Sequence, residues 1–426
     1  MLNRPSSIDN RKPVIAVVSP FLDKHHGTER CVAEQIERIA DDYEIHLYST
    51  AVHDVDLSKI IWHRVPALPG PLLLSYCWWV LANHLWRWWD RRFRGLAPEL
   101  VYSPGINCFD ADVISVHIVF AEFYDHMRRA LGFRANPVGS WPRLLHRRIY
   151  YCLAIGLEHL VYGGKSALLT AVSAKVARDL MRYGKAPSQL PVIGHGVDAR
   201  RFSPENRARL RERARRTLGL SEEDLCLLLV GNDWKTKGLP CVLEALGRLT
   251  AHPIRLLVVG RDIVDPYRFA MARLCLDDRV AFLPLRPDIE FYYAAADAYV
   301  GPSLEDAFAL PPLEAMACGV PTIVSSQMGV REIITDGVDG FSLDDPHDSA
   351  KLAELIALLY GNETLRRRIG ESAANTARQY TWDRNAQQLR LLFQEVLRRK
   401  RNPQIAQTTQ IAENAVHEPA KRAESA

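Results

Sequence analysis

The sequence lacks an apolar segment long enough to span a membrane, short-spaced cysteine pairs and a strong excess of charge of either sign. Its eight cysteines are scattered from Cys31 to Cys318 without a CxxC pair, so neither a zinc site nor a disulfide framework is indicated. The start, MLNRPSSIDNRKP, is polar and lacks the apolar core of a secretory signal. A net charge of +4 is too small to indicate nucleic acid as a partner. We therefore expect a cytoplasmic protein that does not bind nucleic acid.

Two nucleotide-binding motifs are also missing. A Rossmann dehydrogenase needs GxGxxG after a strand, and neither VVSPFLDKHHGTE nor VGNDWKTKG supplies it. The segment YGGKSA is similar to a phosphate loop, but His159 stands where that loop requires its first glycine. A dehydrogenase and a P-loop nucleotidase are therefore not favoured.

What the sequence does contain is a doubled α/β pattern. Short β-branched runs such as VIAVV and DVISV alternate with amphipathic segments, which is typical of a parallel sheet covered by helices on both faces. The alternation begins again at DLCLLLVGNDW and continues through IRLLVVGRD, AYVGPS and VPTIVSS. With 426 residues, the chain is long enough for two cores. We predict an α/β protein with two doubly wound Rossmann-like domains facing across a cleft.

The domain boundary is predicted at the turn GHG, close to Gly196. The terminal amphipathic segment, which begins just before Trp382, is not assigned wholly to the second domain. The predicted organisation is a flexible N-terminus 1–13, a first domain 14–195, a second domain 196–380, a C-terminal helix 381–400 that crosses back to the first domain, and a disordered tail 401–426.

The stretch SLEDAFALPPLEAMACGVPTI, residues 303–323, joins a strand to a helix that Pro311 and Pro312 are expected to start. Free backbone N–H groups at such a helix start favour an anion such as a diphosphate. The carboxylates of Asp306 and Glu314 would instead accept hydrogen bonds from sugar or ribose hydroxyls. The alternative is that Asp306 caps the helix and Glu314, in its first turn, complements the helix dipole.

A second candidate segment is LLLVGNDWKTKGL. Gly231 ends a strand there, and Lys235 and Lys237 precede a helix predicted to start near Leu239, where cations would face the same diphosphate. Taken alone, lysines in such a turn are ordinary solvated charges. Their occurrence together with the Asp306 to Glu314 loop is the more specific signal for a donor site.

Together these stretches resemble the retaining nucleotide-sugar glycosyltransferases of the two-Rossmann-domain type (the GT-B fold), in the large family numbered four. The family signature PSxxEGFGLPxLEAMAxGxPVI corresponds here to PSLEDAFALPPLEAMACGVPTI, and GVREIITDGVDGFSL follows at the expected distance. The resemblance covers residues 14 to 398 approximately. The segment GNDWKTKG is similar to the branch that glycosylates lipopolysaccharide cores.

The resemblance implies an activity. The protein would move a hexose-type sugar from a nucleotide diphosphate sugar, such as a UDP-sugar, to a hydroxyl of a glycan or lipid-linked acceptor in cell-envelope polysaccharide or lipopolysaccharide biosynthesis. It implies donor contacts from Gly231, Asn232, Lys235, Lys237, Asp306, Ala307, Phe308, Ala309, Leu310 and Glu314. Among these, Asp306 and the backbone after it hold the sugar, Glu314 binds the ribose hydroxyls, and Lys237 contacts the diphosphate.

Several positions depart from the family pattern. Asn232 stands where the family usually has Arg, so one positive charge is missing or supplied elsewhere, with Lys235 as the candidate. Asp306 is one methylene shorter than the usual Glu, and Ala307 and Ala309 replace glycines that let the sugar approach the backbone. These departures leave the identity of the donor open.

The first domain contributes three candidate residues. SPFLDKHHGTERC resembles the family's Gly-Gly-x-Glu loop, with His26 in place of the first glycine and Gly27 matching the second. His117 ends the β-like run DVISVHIVF, where apolar neighbours are equally typical of a core histidine. The resemblance assigns His117 to the cleft, beside the reacting carbon of the donor sugar, and makes it the main catalytic candidate of the first domain. The catalytic candidates of the second domain are Asp306 and Lys237.

The family's usual account of retention requires no enzyme nucleophile, because the leaving diphosphate accepts the proton of the incoming hydroxyl on the same face. We find no Asp-x-Asp at a strand end of the kind that holds Mg²⁺ in the other glycosyltransferase fold. We therefore predict no metal site, no cofactor and metal-independent activity. The alternative function is a non-catalytic GT-B scaffold that binds a glycan or lipid.

Residues 71–94 join a long aromatic run to Arg87, Arg91, Arg92 and Arg94. The apolar part is shorter than the roughly 20 residues that a membrane span needs. Trp and Tyr beside Arg are typical of a helix lying against anionic headgroups, whereas the alternative is a core helix with solvated arginines. The first interpretation predicts peripheral attachment to the inner face of the cytoplasmic membrane.

Overall fold

The first half of the chain forms a six-stranded parallel sheet. The computed structural model describes residues 11–127, 141–164 and 167–402. The strand order is β3-β2-β1-β4-β5-β6, with every neighbouring pair parallel. The strands are β1 Val14–Val18, β2 Glu44–Ser49, β3 Ile60–Arg64, β4 Leu100–Pro104, β5 Val113–Val116 and β6 Leu168–Ala171.

The second half repeats this arrangement with the order β12-β11-β10-β7-β8-β9, again parallel throughout. Its strands are β7 Leu225–Val230, β8 Ile254–Val259, β9 Val280–Leu283, β10 Ala298–Gly301, β11 Thr322–Ser325 and β12 Phe341–Leu343. The central strand β7 is an unbroken apolar run that is buried along its whole length, as a strand covered on both faces must be. The predicted fold class, two doubly wound α/β domains, is confirmed.

Helices cover both sheets. In the first half they are α1 Gly27–Ile39, α2 Leu72–Phe93, α3 Phe120–Met127, α4 Trp141–Tyr162 and α5 Ala174–Asp179. In the second half they are α6 Pro204–Thr217, α7 Leu239–Gly247, α8 Asp265–Arg273, α9 Glu290–Ala295, α10 Leu310–Ala317, α11 Ser349–Gly361, α12 Glu363–Ala377 and α13 Trp382–Arg401.

The last helix, α13, packs on the first half of the chain. Gln35 of α1 donates to Asn385 over 2.9 Å in a buried contact, and Phe393 packs edge-on against Tyr102 of β4. Its last turn is held by an ion pair of 2.6 Å between Arg401 and Glu99, so Arg401 belongs to the helix and not to the predicted tail. The rest of that tail, 403–426, and residues 1–10 lie outside the described residues. The predicted domain boundaries stay predictions.

Residues 12 and 13, which precede β1, make hydrogen bonds to the neighbouring elements. The Pro13 carbonyl accepts from the Glu44 N–H over 3.0 Å, and Lys12 Nζ donates to the Ala40 carbonyl. These bonds attach the residues before β1 to the start of β2.

Helix α2 is buried along one side only. Trp79, Ala82, Arg87 and Asp90 are buried on the side that faces the protein. Arg87 donates there to both carboxylate oxygens of Asp110 at 2.7 Å. Arg87 is therefore not one of the solvated arginines that the sequence analysis grouped together. The opposite side of the helix is exposed and carries Leu72, Leu74, Leu81, Leu85, Trp86, Trp88, Trp89 and Phe93.

Candidate functional site

The sequence-predicted residues meet in one cleft between the two sheets. It has a volume of about 380 Å³, and the loops after β1, β5, β7 and β10 contribute to its walls. This position follows from the fold, since the carboxyl ends of parallel strands are where α/β proteins bind ligands. Of the predicted residues, the cleft is lined by His26, Gly27, His117, Gly231, Asn232, Lys237, Asp306, Ala307, Phe308, Ala309, Leu310 and Glu314.

Lys235 is the exception. It is exposed and does not line the cleft, whereas Lys237, two residues later, does. Gly231 explains part of the difference, because its φ of +148° and missing side chain let the Lys237 chain lie across it; a Cβ at this position would stand 3.0 Å from the Lys237 Cε. The other cation that lines the cleft is Arg30 of α1, which the sequence analysis did not select.

Two helices begin in the cleft with uncapped N-termini. Helix α1 follows His26 and helix α10 follows Ala309, and in neither case does the preceding side chain accept a hydrogen bond from the helix. The first N–H groups of α1 consequently lack a side-chain partner at the cap, whereas Pro311 and Pro312 leave α10 with few N–H groups at its start. The dipoles of both helices place partial positive charge in the cleft. This arrangement suits an anionic group such as a diphosphate.

Asp306 contacts a cation instead of capping the helix. Its Oδ2 lies 2.5 Å from Lys237 Nζ, and Oδ1 accepts from the Phe308 N–H over 3.3 Å. The alternative role as the helix cap is therefore wrong, since the residue before the helix is Ala309. Ala309 has φ +73°, a left-handed conformation that favours glycine, which is what the family usually has there.

Glu314 is buried and paired. Its side chain is 3% exposed; Oε1 lies 2.6 Å from Arg30 Nη1, and Oε2 accepts from the Tyr293 hydroxyl over 2.8 Å. Burial alone would lower the pKa of Arg30, but the charge and hydrogen bond of Glu314 raise it overall. Glu314 is the fifth residue of α10 and not in its first turn, so it does not complement the dipole as expected.

His117 directly follows β5, and its imidazole contacts a second histidine. His117 Nδ1 lies 3.3 Å from His195 Nε2, while His117 Nε2 lies 3.0 Å from Ser115 Oγ. Burial lowers the pKa of His117 well below its usual value and lowers that of His195 to about 3. Both rings are therefore neutral at physiological pH, and one of the two facing nitrogens donates to the other.

Cys31, His117 and His195 are the group of residues in the described part of the chain that could ligate a metal. One ligand atom from each lies within 4.8 Å of the others, and all three residues are buried. Burial raises the pKa of the Cys31 thiol, so a metal there would have to displace its proton. The predicted metal independence stays a prediction.

The loop between β10 and α10, residues 302–309, is also held by residues from the first half of the chain. Ser173 Oγ donates to the Ala307 carbonyl over 2.6 Å, and Lys175 Nζ lies 2.6 Å from Glu305 Oε1. Glu305 and Asp306 are adjacent carboxylates with different roles, because Glu305 pairs with α5 whereas Asp306 lines the cleft. Together with the Lys237–Asp306 pair, these contacts hold the loop between β10 and α10 from both halves of the chain.

The cleft residues that the sequence analysis did not select include Glu29, Arg30 and His195. Glu29 was visible as the last residue of the Gly-x-Glu motif, and His195 as the centre of the turn GHG, which was used only as a boundary. Arg30 had no signal of its own, since its partner Glu314 is 284 residues away.

The two parallel sheets and the cleft between them define a protein with the GT-B fold. Residues 211–376 match the family described as "Glycosyl transferases group 1". The resemblance to the family numbered four is thereby confirmed.

Curated relatives agree over part of the chain. The D-inositol 3-phosphate glycosyltransferase of Corynebacterium efficiens is 32% identical over 249 residues, 56% of this chain and 58% of that protein. The enzyme of the same name from Salinispora arenicola is 31% identical over 260 residues, 57% of each chain. This chain thus aligns with little more than half the length of these relatives.

Solved structures agree over more of the chain. WaaG, a glycosyltransferase involved in lipopolysaccharide biosynthesis, superposes with a TM-score of 0.72 at 20% identity, covering 88% of this chain and 98% of its own. Anabaena HepE in complex with UDP-glucose gives a TM-score of 0.66 at 21% identity, covering 90% and 99%. At these identities the likeness establishes the fold.

Proposed function

We propose that this protein is a retaining glycosyltransferase that moves a hexose-type sugar from a nucleotide diphosphate sugar to a hydroxyl of a glycan or lipid-linked acceptor. The observation that carries this proposal is the cleft in which Lys237, Asp306 and Glu314 of one domain face His117 of the other. The family match over residues 211–376 and the fold shared with HepE, whose structure contains UDP-glucose, support a sugar nucleotide as the donor.

The chemistry follows from where charge develops. As the bond to the sugar breaks, negative charge grows on the departing diphosphate, and Lys237 together with the N-termini of α1 and α10 stabilises it. The neutral His117 lies at the opposite wall and contacts the sugar near the reacting carbon. The leaving phosphate takes the proton of the incoming hydroxyl on the same face, which retains configuration without an enzyme nucleophile.

Ion pairs inside the cleft set what the donor must displace. Asp306 is paired with Lys237, and Glu314 is paired with Arg30. When the donor binds, each carboxylate exchanges its cation for sugar or ribose hydroxyls. The two freed cations then contact the diphosphate. Arg30 thereby supplies the positive charge that Asn232 does not.

The test is thermal stabilisation by UDP-, GDP- and ADP-sugars, with Lys237→Ala compared with Lys235→Ala. The two lysines are two residues apart, but Lys237 lines the cleft and Lys235 is exposed outside it. We expect one donor to stabilise the parent and Lys235→Ala but not Lys237→Ala. A folded protein that no donor stabilises, and that releases no nucleotide diphosphate in a donor-hydrolysis assay, would support the non-catalytic scaffold instead.

We further propose that α2 and α4 attach the protein peripherally to an anionic membrane, on the cytoplasmic face. Both helices expose large apolar side chains, Trp88 and Trp89 on α2 and Leu145 and Ile149 on α4, and α2 ends at the exposed cations Arg91, Arg92 and Arg94. Aromatic residues beside arginine suit the headgroup region. Within the described residues, no helix has the length and apolarity needed to cross a membrane.

Cosedimentation with vesicles tests this attachment. The double variant Trp88→Ala/Trp89→Ala should lose binding to vesicles that contain anionic lipid, whereas Phe269→Ala, which removes an aromatic ring that is 81% exposed on the second domain, should not. Equal binding of all three proteins, or none by the parent, would contradict the proposal.

A further inference from the structure

A second cavity lies in the first domain, next to the donor cleft. Its volume is about 450 Å³, within the range of small-molecule sites, and its walls come from the loops after β1, β4 and β5 and from helices α2 and α4. Much of the apolar lining is aromatic, with contributions from Phe21, Tyr76, Trp78, Trp79, Phe120 and Tyr150.

The polar side chains of this lining are largely directed into the protein. Ser75 Oγ donates to the Leu68 carbonyl over 3.0 Å, Tyr76 Oη to the Ile106 carbonyl over 2.6 Å and Trp78 Nε1 to the Pro66 carbonyl over 2.8 Å. Thr50 donates to the Pro20 carbonyl over 2.7 Å. With their polar atoms satisfied by the backbone, these residues present carbon atoms and ring faces to the cavity.

The cavity joins the donor cleft at its inner end. Thr28, Glu29 and His117 line both spaces, so a ligand in the cavity reaches the position of the donor sugar there. Burial raises the pKa of Glu29, as expected for a carboxyl group at the edge of an apolar space. The polar side chains at this junction are Thr28, Glu29 and His117, so a hydroxyl that enters from the cavity meets them at the edge of the donor cleft.

One polar atom in the lining lacks a partner. Tyr162 is fully buried, and its hydroxyl makes no hydrogen bond with any residue that the structure describes. An unpaired buried hydroxyl is unfavourable by about 1–3 kcal/mol, which a ligand with one polar group would relieve. The cavity is therefore apolar along its walls, with polar contacts at Tyr162 and at the junction with the donor cleft.

The outer end of the cavity opens on the apolar surface of α2. Leu68 and Leu72 line it and are 44% and 56% exposed, and the exposed leucines and tryptophans of α2 continue from there. An aliphatic chain that enters the cavity therefore passes apolar side chains at its mouth.

From this continuity we propose that the second cavity binds the acceptor, and that the acceptor carries an aliphatic chain close to the hydroxyl that receives the sugar. The chain lies between α2 and α4, and the hydroxyl lies against Glu29 and His117. A glycan without an apolar group would leave the aromatic walls unused. This inference rests on the proposed transferase function and names its acceptor class.

The test compares octyl β-glucoside, kept below the concentration at which it forms micelles, with methyl β-glucoside and phenyl β-glucoside. Binding is measured by calorimetry with the full chain. Because each buried methylene contributes about 0.8 kcal/mol, we expect the octyl compound to bind at least about tenfold more tightly than the methyl compound. Equal binding of the three, or preferential binding of the phenyl compound, would overturn the proposal.

Two variants locate the binding. Leu72→Glu places a charge at the cavity mouth, whereas Leu74→Glu places a charge two residues away, outside the lining. Because the parent leucines are 56% and 57% exposed, neither change buries the new carboxylate on folding. We expect Leu72→Glu to weaken octyl glucoside binding about tenfold and Leu74→Glu to change it less than about twofold. Equal effects would assign the binding to the helix surface and not to the cavity.

A parallel titration with the stabilising donor sugar separates this inference from the proposed function. Donor binding with no preference for the octyl compound refutes the aliphatic acceptor alone. If neither donor binding nor donor hydrolysis occurs, the transferase function fails, and the acceptor assignment fails with it.

Discussion

The buried pair His117 and His195 makes a quantitative prediction about stability and pH. Each imidazole has a lowered pKa in the folded protein because burial disfavours its charged form, and Arg30 adds to the effect at His195. In the unfolded chain both return to about 6.5. Below that pH the unfolded state binds more protons than the folded state, so stability is complete above about pH 6.5 and decreases as the pH falls towards the folded pKa.

The magnitude follows from linkage. At pH 5.5 a histidine with an unfolded pKa of 6.5 that stays neutral when folded reduces the free energy of unfolding by about 1.4 kcal/mol, and the pair by about 3 kcal/mol. Replacing His195 by Asn keeps a group that can donate to His117 and removes one of the two titrations. Between pH 8 and pH 5.5 we therefore expect the free energy of unfolding of His195→Asn to fall by about 1.4 kcal/mol less than that of the parent.

The assay is urea unfolding, followed by circular dichroism at several pH values. Glu29 and Glu158 have pKa values raised by burial and act in the opposite direction, so the comparison is between variant and parent and not with an absolute slope. The control His53→Asn removes an exposed histidine and should leave the slope unchanged. Parallel curves for His195→Asn and the parent would refute the reasoning.

Three further outcomes are expected. Ala309→Gly should be at least as stable as the parent in thermal unfolding, because φ is +73° there, while Ala315→Gly inside α10 should lose about 1 kcal/mol; equal losses would contradict the strain at Ala309. Arg30→Met leaves Glu314 buried without its cation and should lower the free energy of unfolding in urea by about 3 kcal/mol. The double variant with Glu314→Gln should recover part of this loss, and additive losses of the two single variants would argue against coupling. Dialysis against EDTA should leave sugar transfer unchanged, and a loss that added metal restores would contradict metal independence.

The periodicity of the sequence was sufficient for the architecture, except at short or edge strands. The central strands β1 and β7 are continuous apolar runs and were predicted from their composition. Strands β3, β6 and β12 lie at the edges of their sheets, and partial exposure of β3 and the three-residue length of β12 weaken their signals. Their pairing partners, not their own residues, define them.

The local sequence also determined which loops carry the site. Gly231, the Asp306 loop and His117 each stand at the end of a strand, and parallel strands bring such ends to the same edge of a sheet. Sequence spacing did not separate Lys237 from Lys235, because both lie in the same turn and the direction of each side chain depends on what packs around it.

The tertiary structure alone decided the ion pairs between the two halves of the chain. Glu314 meets Arg30, and Glu305 meets Lys175, over separations of 284 and 130 residues, so neither partner leaves a trace in the neighbouring sequence. The same holds for the junction of the two cavities, where Glu29 of α1 meets His117 after β5. The sequence by itself determined the two sheets and the loops at their carboxyl ends, through hydrophobic periodicity and turn residues. Only the packing of one domain against the other determined which charges are neutralised, which histidines are buried and where an acceptor has room to bind.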